Sequence, residues 1–455
     1  MTQHLRRLIA KTDCRILPGS VLATIWILAA SAVVAAGLPQ GDPAEAGFSK
    51  ERLDRIETAI RRAVEKKQIS GASAVVANDG KIVYRANVGE RDVENKLPTT
   101  DDTIYRIASM TKPITSVAAM MLVEEGKLSL DDPLAKFVPE YGKMRVLEDQ
   151  SVEKDQAGRI GNPSYAKRPI TIRHLLTHTS GITYGFFGRE LVAEHYRQAE
   201  VFDGLVETHG TMADNVKRLS RVPLLFHPGE KWEYGLNTDV LGRVVEIASG
   251  QSLDEFFAAR IFSPLAMSDT HFALPDNKRS RLAALYTTNK DLTIRRLGSE
   301  PVKLGPLVYS ATLPLQERYE YFSGGVGLVS TSDDYVRFCQ MLLNGGELDG
   351  KRLLKPDTVK QMTTNQIGDL QPWIGSHGLQ FGYGFGIVGE PTNETTAAKE
   401  PATPGTYSWG GIFGTYFFVD PQKKLVGLLM MQIHPNDHIS LRQDFQRLVY
   451  DALNP

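Results

Sequence analysis

The sequence predicts an α/β fold: a mostly antiparallel sheet flanked by helices, with a mainly helical lobe inserted between its two halves. Three observations carry this. Ala72 to Ala77 and Lys81 to Arg85 flank Asn78-Asp79-Gly80, and Asp-Gly supplies the positive φ that a tight hairpin needs. Further strand-like runs return only near the C-terminus, at Phe381 to Val388, Thr415 to Val419 and Leu425 to Met430. Between the two sets, Thr171 to His178, Met212 to Leu219, Asn237 to Ala248 and Leu253 to Ile261 favour helix, separated by Pro- and Gly-rich loops. Consecutive, hairpin-linked strands pair antiparallel, and helices must cover their apolar faces.

In chain order, Arg6, Arg7, Lys11 and Arg15 precede an apolar run from Val21 to Ala36 that ends in the small residues Val34-Ala35-Ala36. This pattern is expected of a signal peptide over 1–36, hence of a periplasmic or secreted protein that meets a membrane only through an uncleaved leader. Ser49 opens an amphipathic helix to about Lys67, with Leu53, Ile56, Ile60 and Val64 at helical spacing. A second helix is expected from Ser109 to Glu125, closed by Gly126, and a last one from Ser440 to Leu453. The division that follows is an α/β part at 37–127, a mainly helical insertion at 128–325 and a second α/β part at 326–455.

Composition narrows the function. The 455 residues are 42% hydrophobic and 23% charged, with 52 basic against 53 acidic side chains. A net charge of -1 gives no general attraction to phosphate backbones, so nucleic acid is not an expected partner and small molecules are. Cys14 and Cys339 are the two cysteines, too few for a disulfide framework, and Cys339 lies in an apolar run that suits a buried, inert thiol.

Ser109-Met110-Thr111-Lys112 places a hydroxyl and an amine on one face of a helix start. A partly buried lysine with a lowered pKa can activate such a serine. Ser151 to Lys154 and Ser164 to Lys167 have the same spacing but lie in polar loop sequence with no helix behind them. Pro113, unable to donate to a carbonyl one turn back, is expected to distort the first turn. Two His-x-x-x-His pairs, His174/His178 and His434/His438, have zinc-like spacing. Neither carries the Glu of His-Glu-x-x-His, and Pro435 interrupts the second. No metal or cofactor is expected.

The segment from Ser109 to Ser116 resembles the serine motif of the class C β-lactamase and penicillin-binding-protein superfamily. The resemblance extends to Asp42 to Gly47, Leu130 to Leu134, Ile172 to Gly181 and Phe226 to Glu230. It implies a serine β-lactamase-like fold and a covalent acyl-enzyme on Ser109, with Lys112 and Tyr234 moving the proton. Tyr234 takes the tyrosine of the family's Tyr-x-Asn motif. A neighbouring Lys112 ammonium would draw its phenol toward the working pH range. The family's Asn position is Leu236 here, with Asn237 one residue beyond, and Asn237 is carried as a substrate-binding candidate.

The third motif appears as Trp409-Gly410-Gly411, a form similar to the family VIII carboxylesterases. The resemblance places substrate against Trp409, Gly410 and Gly411, and assigns the oxyanion to the backbone amides of Ser109 and Ile412. Trp409 brings no charge for the carboxylate of a β-lactam or stem peptide, which points to neutral esters. Hydrolysis of short-chain carboxylic esters is therefore the leading expectation. The alternatives are a β-lactamase or D-alanyl-D-alanine carboxypeptidase taking a β-lactam-like substrate, or a non-catalytic penicillin-recognition or cell-wall-binding protein.

Overall fold

The computed structural model describes residues 37–147, 164–187, 190–207, 210–375, 378–390 and 401–453. The expected leader over 1–36, Cys14 and the Ser151 decoy lie outside them. The described chain forms one α/β unit with a large sheet flanked by helices.

Eight strands make the main sheet: β1 (Gly71–Asn78), β2 (Lys81–Asp92), β3 (Leu97–Pro98), β4 (Leu379–Phe381), β5 (Gly386–Val388), β6 (Tyr407–Gly410), β7 (Tyr416–Asp420) and β8 (Leu425–Met430). Their order across the sheet is β4-β5-β6-β7-β8-β1-β2-β3, every neighbouring pair antiparallel. The two ends of the chain meet where β1 pairs with β8, Val75 opposite Leu428.

Alternation along the strands feeds two cores. Ala74, Val76, Phe418 and Leu429 face helices α1 (Lys50–Glu65) and α5 (Leu441–Asp451), against Ile56, Ile60, Phe445 and Val449. Val75, Ala77, Phe417 and Leu428 face the other way, toward α2 (Thr111–Glu124) and α4 (Ser332–Leu343). Helix α2 is buried on every side from Thr111 to Leu122, which is why its sequence lacks a polar stripe. Its tight start places Ser109 above the end of β6.

Sequence and structure differ at several elements. Phe381 to Val388 is not one strand but β4, a turn and β5, because Gly384 has φ 92 and Gly382 N bonds Phe385 O at 2.9 Å. The helix expected over Leu253 to Ile261 runs Leu253–Phe257 and continues as a π turn over Ala258–Phe262. Thr171 to His178 shortens to Ile172–Leu176, where Thr171 and His174 form a capping box. Met212–Leu219 and α3 (Asn237–Ser249) form as expected, the latter ended by Gly250 at φ 73. Helix α4 and the short hairpins Tyr286–Thr288/Ile294–Arg296 and Val302–Leu304/Leu307–Tyr309 had no expectation.

Candidate active site

Ser109 sits in a 3-10 turn, Ala108–Met110, immediately before α2. Ala108 has φ 43, a left-handed conformation that costs an L-residue roughly 1–2 kcal/mol and is held by its neighbours. Tyr335 Oη donates to Met110 O at 2.8 Å, and Leu328 N donates to Thr111 Oγ1 at 3.1 Å. The expected distortion therefore falls at this turn and not at Pro113. Because α2 starts at Thr111, Pro113 occupies its first turn, where backbone N–H groups lack helical acceptors anyway.

One helical turn from Ser109, Lys112 is 1% exposed. Its amine makes three contacts: Ser109 Oγ at 3.2 Å, Tyr184 Oη at 2.9 Å and Gly325 O at 2.9 Å. Burial pulls its pKa well below the ordinary lysine value, with Asp239 opposing the shift.

Tyr234 precedes α3, is 6% exposed and has its hydroxyl near the Ser109 side chain, which acts on its pKa. Trp409 Nε1, from β6, donates to Tyr234 Oη at 3.1 Å. The Lys112 amine lies over the Tyr234 ring, 4.6 Å from its centroid. Burial raises the phenol pKa, the Ser109 and Trp409 side chains only partly offsetting it. This corrects the expectation of a phenol drawn down by Lys112: Tyr234 is a neutral phenol in the resting protein.

The third motif also makes contacts within the protein. The Trp409 N–H is committed to Tyr234 and the side chain is 7% exposed, so it serves the tyrosine first. A Cβ on Gly411 would stand 2.4 Å from Ile107 O, and one on Gly410 would stand 2.8 Å from Arg442 Nη1. Both glycines let protein pack against the strand end, and Gly411 brings that end onto the Ser109 turn. Among the described residues, neither Ser109 N nor Ile412 N donates to an internal acceptor. The Ile412 carbonyl accepts from Asn436 Nδ2 at 2.8 Å, and His434 Nδ1 lies 3.3 Å from it, which anchors the peptide that follows the Ile412 amide.

Asn237 is fully buried. Its carboxamide accepts from Ser180 Oγ, lies 3.0 Å from His178 Nδ1 and donates to Ile182 O at 3.2 Å. With these internal partners it ties α3 to the 178–182 segment. Leu236, in the family's Asn position, is also fully buried.

The remaining sequence candidates lie elsewhere. Ser164 and Tyr165 form a short strand paired with Val146 and Arg145, with no helix behind them. His174 caps the Ile172–Leu176 helix, while His178 packs 4.9 Å from the Tyr234 ring. His438 lines a groove of about 560 Å³ between α1 and α5. Cys339 is fully buried in α4.

A serine, a buried amine and a phenol thus meet in one cluster, with two free backbone amides on the same turn and strand end. The sequence model of the family described as Beta-lactamase matches residues 56–450. The chain belongs to the β-lactamase family. Within that family it is similar to esterase EstB of Burkholderia gladioli, 32% identical over 83% of this chain and 89% of that protein. It is also similar to the monacolin J acid methylbutanoyltransferase of Aspergillus terreus, 30% identical over 90% of this chain and 98% of that one. Among solved structures, EstCE1, described as a hydrolase with promiscuous acyltransferase activity, superposes with a TM-score of 0.73 and 26% identity, covering 89% of this chain and 99% of its own. The chain is accordingly a hydrolytic or acyl-transfer enzyme of the β-lactamase fold.

Two groups of this β-lactamase-family site were not singled out from sequence. Tyr184, 1% exposed, ligates the Lys112 amine. It stands three residues beyond Gly181, just outside the motif stretch, and that position is its only sequence signal. Asp239 is 1% exposed in the first turn of α3, where an acidic residue reads as an ordinary partner of the helix dipole.

Proposed function

We propose that the chain hydrolyses short-chain carboxylic esters through an acyl-enzyme on Ser109. The observation that carries this is the buried Lys112 amine 3.2 Å from Ser109 Oγ and 4.6 Å from the centre of the Tyr234 ring. Ser109 Oγ attacks the ester carbonyl and its proton passes to the neutral Lys112 amine. The amides of Ser109 and Ile412 receive the charge on the carbonyl oxygen. As the adduct collapses, the C–O bond to the alcohol breaks and the departing alkoxide takes the phenol proton of Tyr234, which Lys112 replaces. Water then attacks the acyl-enzyme, gives its proton to the Tyr234–Lys112 pair, and releases Ser109 with the acid.

The uncharged Trp409 favours neutral esters over substrates whose carboxylate needs a cation. Relatives named as an esterase and as a methylbutanoyltransferase support a small acyl group. Transfer to an alcohol in place of water is a second reading, favoured by the acyltransferase activity in the description of EstCE1. The basic and apolar sequence over 1–36 supports an exported enzyme, periplasmic or secreted.

The test is turnover of p-nitrophenyl acetate, butyrate and octanoate beside a chromogenic cephalosporin, with Ser109→Ala as control. Ester turnover that falls with chain length and vanishes in Ser109→Ala is expected. A wide preference for the cephalosporin would replace the esterase reading with a β-lactamase one.

A further inference from the structure

Asp239 stands one layer behind the Lys112 amine. Its Oδ1 accepts from Ser323 Oγ at 2.6 Å. Its Oδ2 is buried without a hydrogen-bond partner. The space beside Oδ2 is the bare Cα of Gly325, where a Cβ would stand 2.4 Å from Oδ2 and 3.2 Å from Tyr184 Oη. Gly325 O and Tyr184 Oη are the two groups besides Ser109 Oγ that hold the Lys112 amine. Ser323 Oγ, fixed by Asp239, also accepts from Gly325 N at 3.3 Å and Val326 N at 3.0 Å, so the carboxylate shapes the loop that presents the Gly325 carbonyl.

We propose that Asp239 is a positioning residue for Lys112: it shapes the Gly325 loop that ligates the amine and presents a buried negative charge toward it. The inference rests on the Ser109–Lys112 reading above. The charge favours the ammonium form and so sets how readily Lys112 accepts the serine proton. Other titratable groups face the pair: His178 and Tyr184 from the 178–184 segment, Asp203 before the Met212–Leu219 helix, Tyr234, and Tyr319 and Tyr321 before the Gly325 loop. Burial holds the histidine neutral by lowering its pKa and the phenols neutral by raising theirs. Burial pushes Asp239's own carboxyl up to about 6, so it presents its charge above that pH, and Asp203, pushed up to about 7, titrates in the same range.

The experiment measures the rate at which a fluorophosphonate probe labels Ser109 between pH 5 and pH 9, in the wild type and in Asp239→Asn, Ser323→Ala and Asp203→Asn, with a thermal melt of each. Labelling needs no knowledge of the natural ester. With the negative charge gone, Lys112 loses its proton at lower pH. The acid limb in Asp239→Asn should therefore move down by roughly one pH unit, the lower end of what a nearby opposite charge produces. Ser323→Ala weakens the carboxylate's hold on its charge and should move the limb the same way by less. Asp203→Asn should leave it in place. If Asp239→Asn fails to fold, Ser323→Ala decides. A lowered plateau with an unmoved limb, or a limb that follows Asp203→Asn instead, overturns the proposal while leaving the serine assignment standing. A wild type that takes no label overturns the serine assignment itself.

Discussion

The Trp409 indole N–H donates to the Tyr234 phenol oxygen at 3.1 Å, joining residues 175 positions apart in the chain. Where the wider superfamily has a cation in this motif, this chain has a neutral donor aimed at the tyrosine. In the proposed mechanism this donor would stabilise the negative oxygen left as Tyr234 gives up its proton. Trp409→Phe keeps most of the ring packing against Phe381 and Tyr234 but deletes the N–H. A lost hydrogen bond of about 0.5–1.5 kcal/mol predicts kcat lowered roughly 2- to 13-fold with KM little changed. Steady-state kinetics on p-nitrophenyl butyrate read this directly, and an unchanged kcat would remove Trp409 from the proton path.

Ser109→Ala is expected to abolish ester turnover and probe labelling with the melting temperature nearly unchanged, because the hydroxyl supplies reactivity rather than packing. Ser151→Ala and Ser164→Ala should alter turnover little. Loss of activity in either of these, with Ser109→Ala still active, would reassign the nucleophile.

Lys112→Ala and Tyr234→Phe should each reduce kcat by roughly 10²–10⁴, the range of positioned acid–base groups. Both touch Ser109, so they act on one proton and their losses should overlap. The double variant is predicted to be scarcely slower than the worse single one, and fully multiplicative losses would show independent roles.

The sheet was legible because hairpin turns and apolar alternation are local signals. Leu425 to Met430 falls where β8 lies, and Asp79-Gly80 makes the turn between β1 and β2. Ser109 and Lys112 were legible too, since a single helix start fixes their relation. Other features depend on residues far apart in sequence. Asn237 meets His178, Ser180 and Ile182 only in the folded chain. Tyr184 gained a place beside Lys112 only through folding across 72 residues. The direction of the Tyr234 shift was misjudged because burial, invisible in sequence, outweighs the cation over its ring.

Acid stability should reflect His174. Burial and the charges of Arg168 and Arg173 lower its pKa from 6.5 to about 4. Between those values the unfolded chain binds a proton that the folded one refuses. Its titration therefore costs nothing above pH 6.5 and takes away a growing share of stability as pH falls toward 4. Denaturant melts at pH 7 and pH 5 should show a smaller acid-induced loss in His174→Gln than in the wild type. Equal losses would mean that His174 does not contribute to the acid limb.

Trp409→Lys tests both parts of the third motif at once. It introduces a cation near the place a substrate carboxylate would take, and it removes the N–H from Tyr234. Ester hydrolysis should therefore fall, while cephalosporin hydrolysis rises relative to it. A screened contact of about 1 kcal/mol, or a more buried one of about 2–3 kcal/mol, limits the change in ratio to roughly ten- to a hundredfold. Leu236 stays in the family's Asn position, fully buried, so the amide contact remains absent and full conversion is not expected. The quantity to measure is kcat/KM for a chromogenic cephalosporin over that for p-nitrophenyl butyrate, with a melt to confirm folding. A folded variant whose ratio stays at the wild-type value would show that charge at position 409 does not govern the choice between ester and β-lactam.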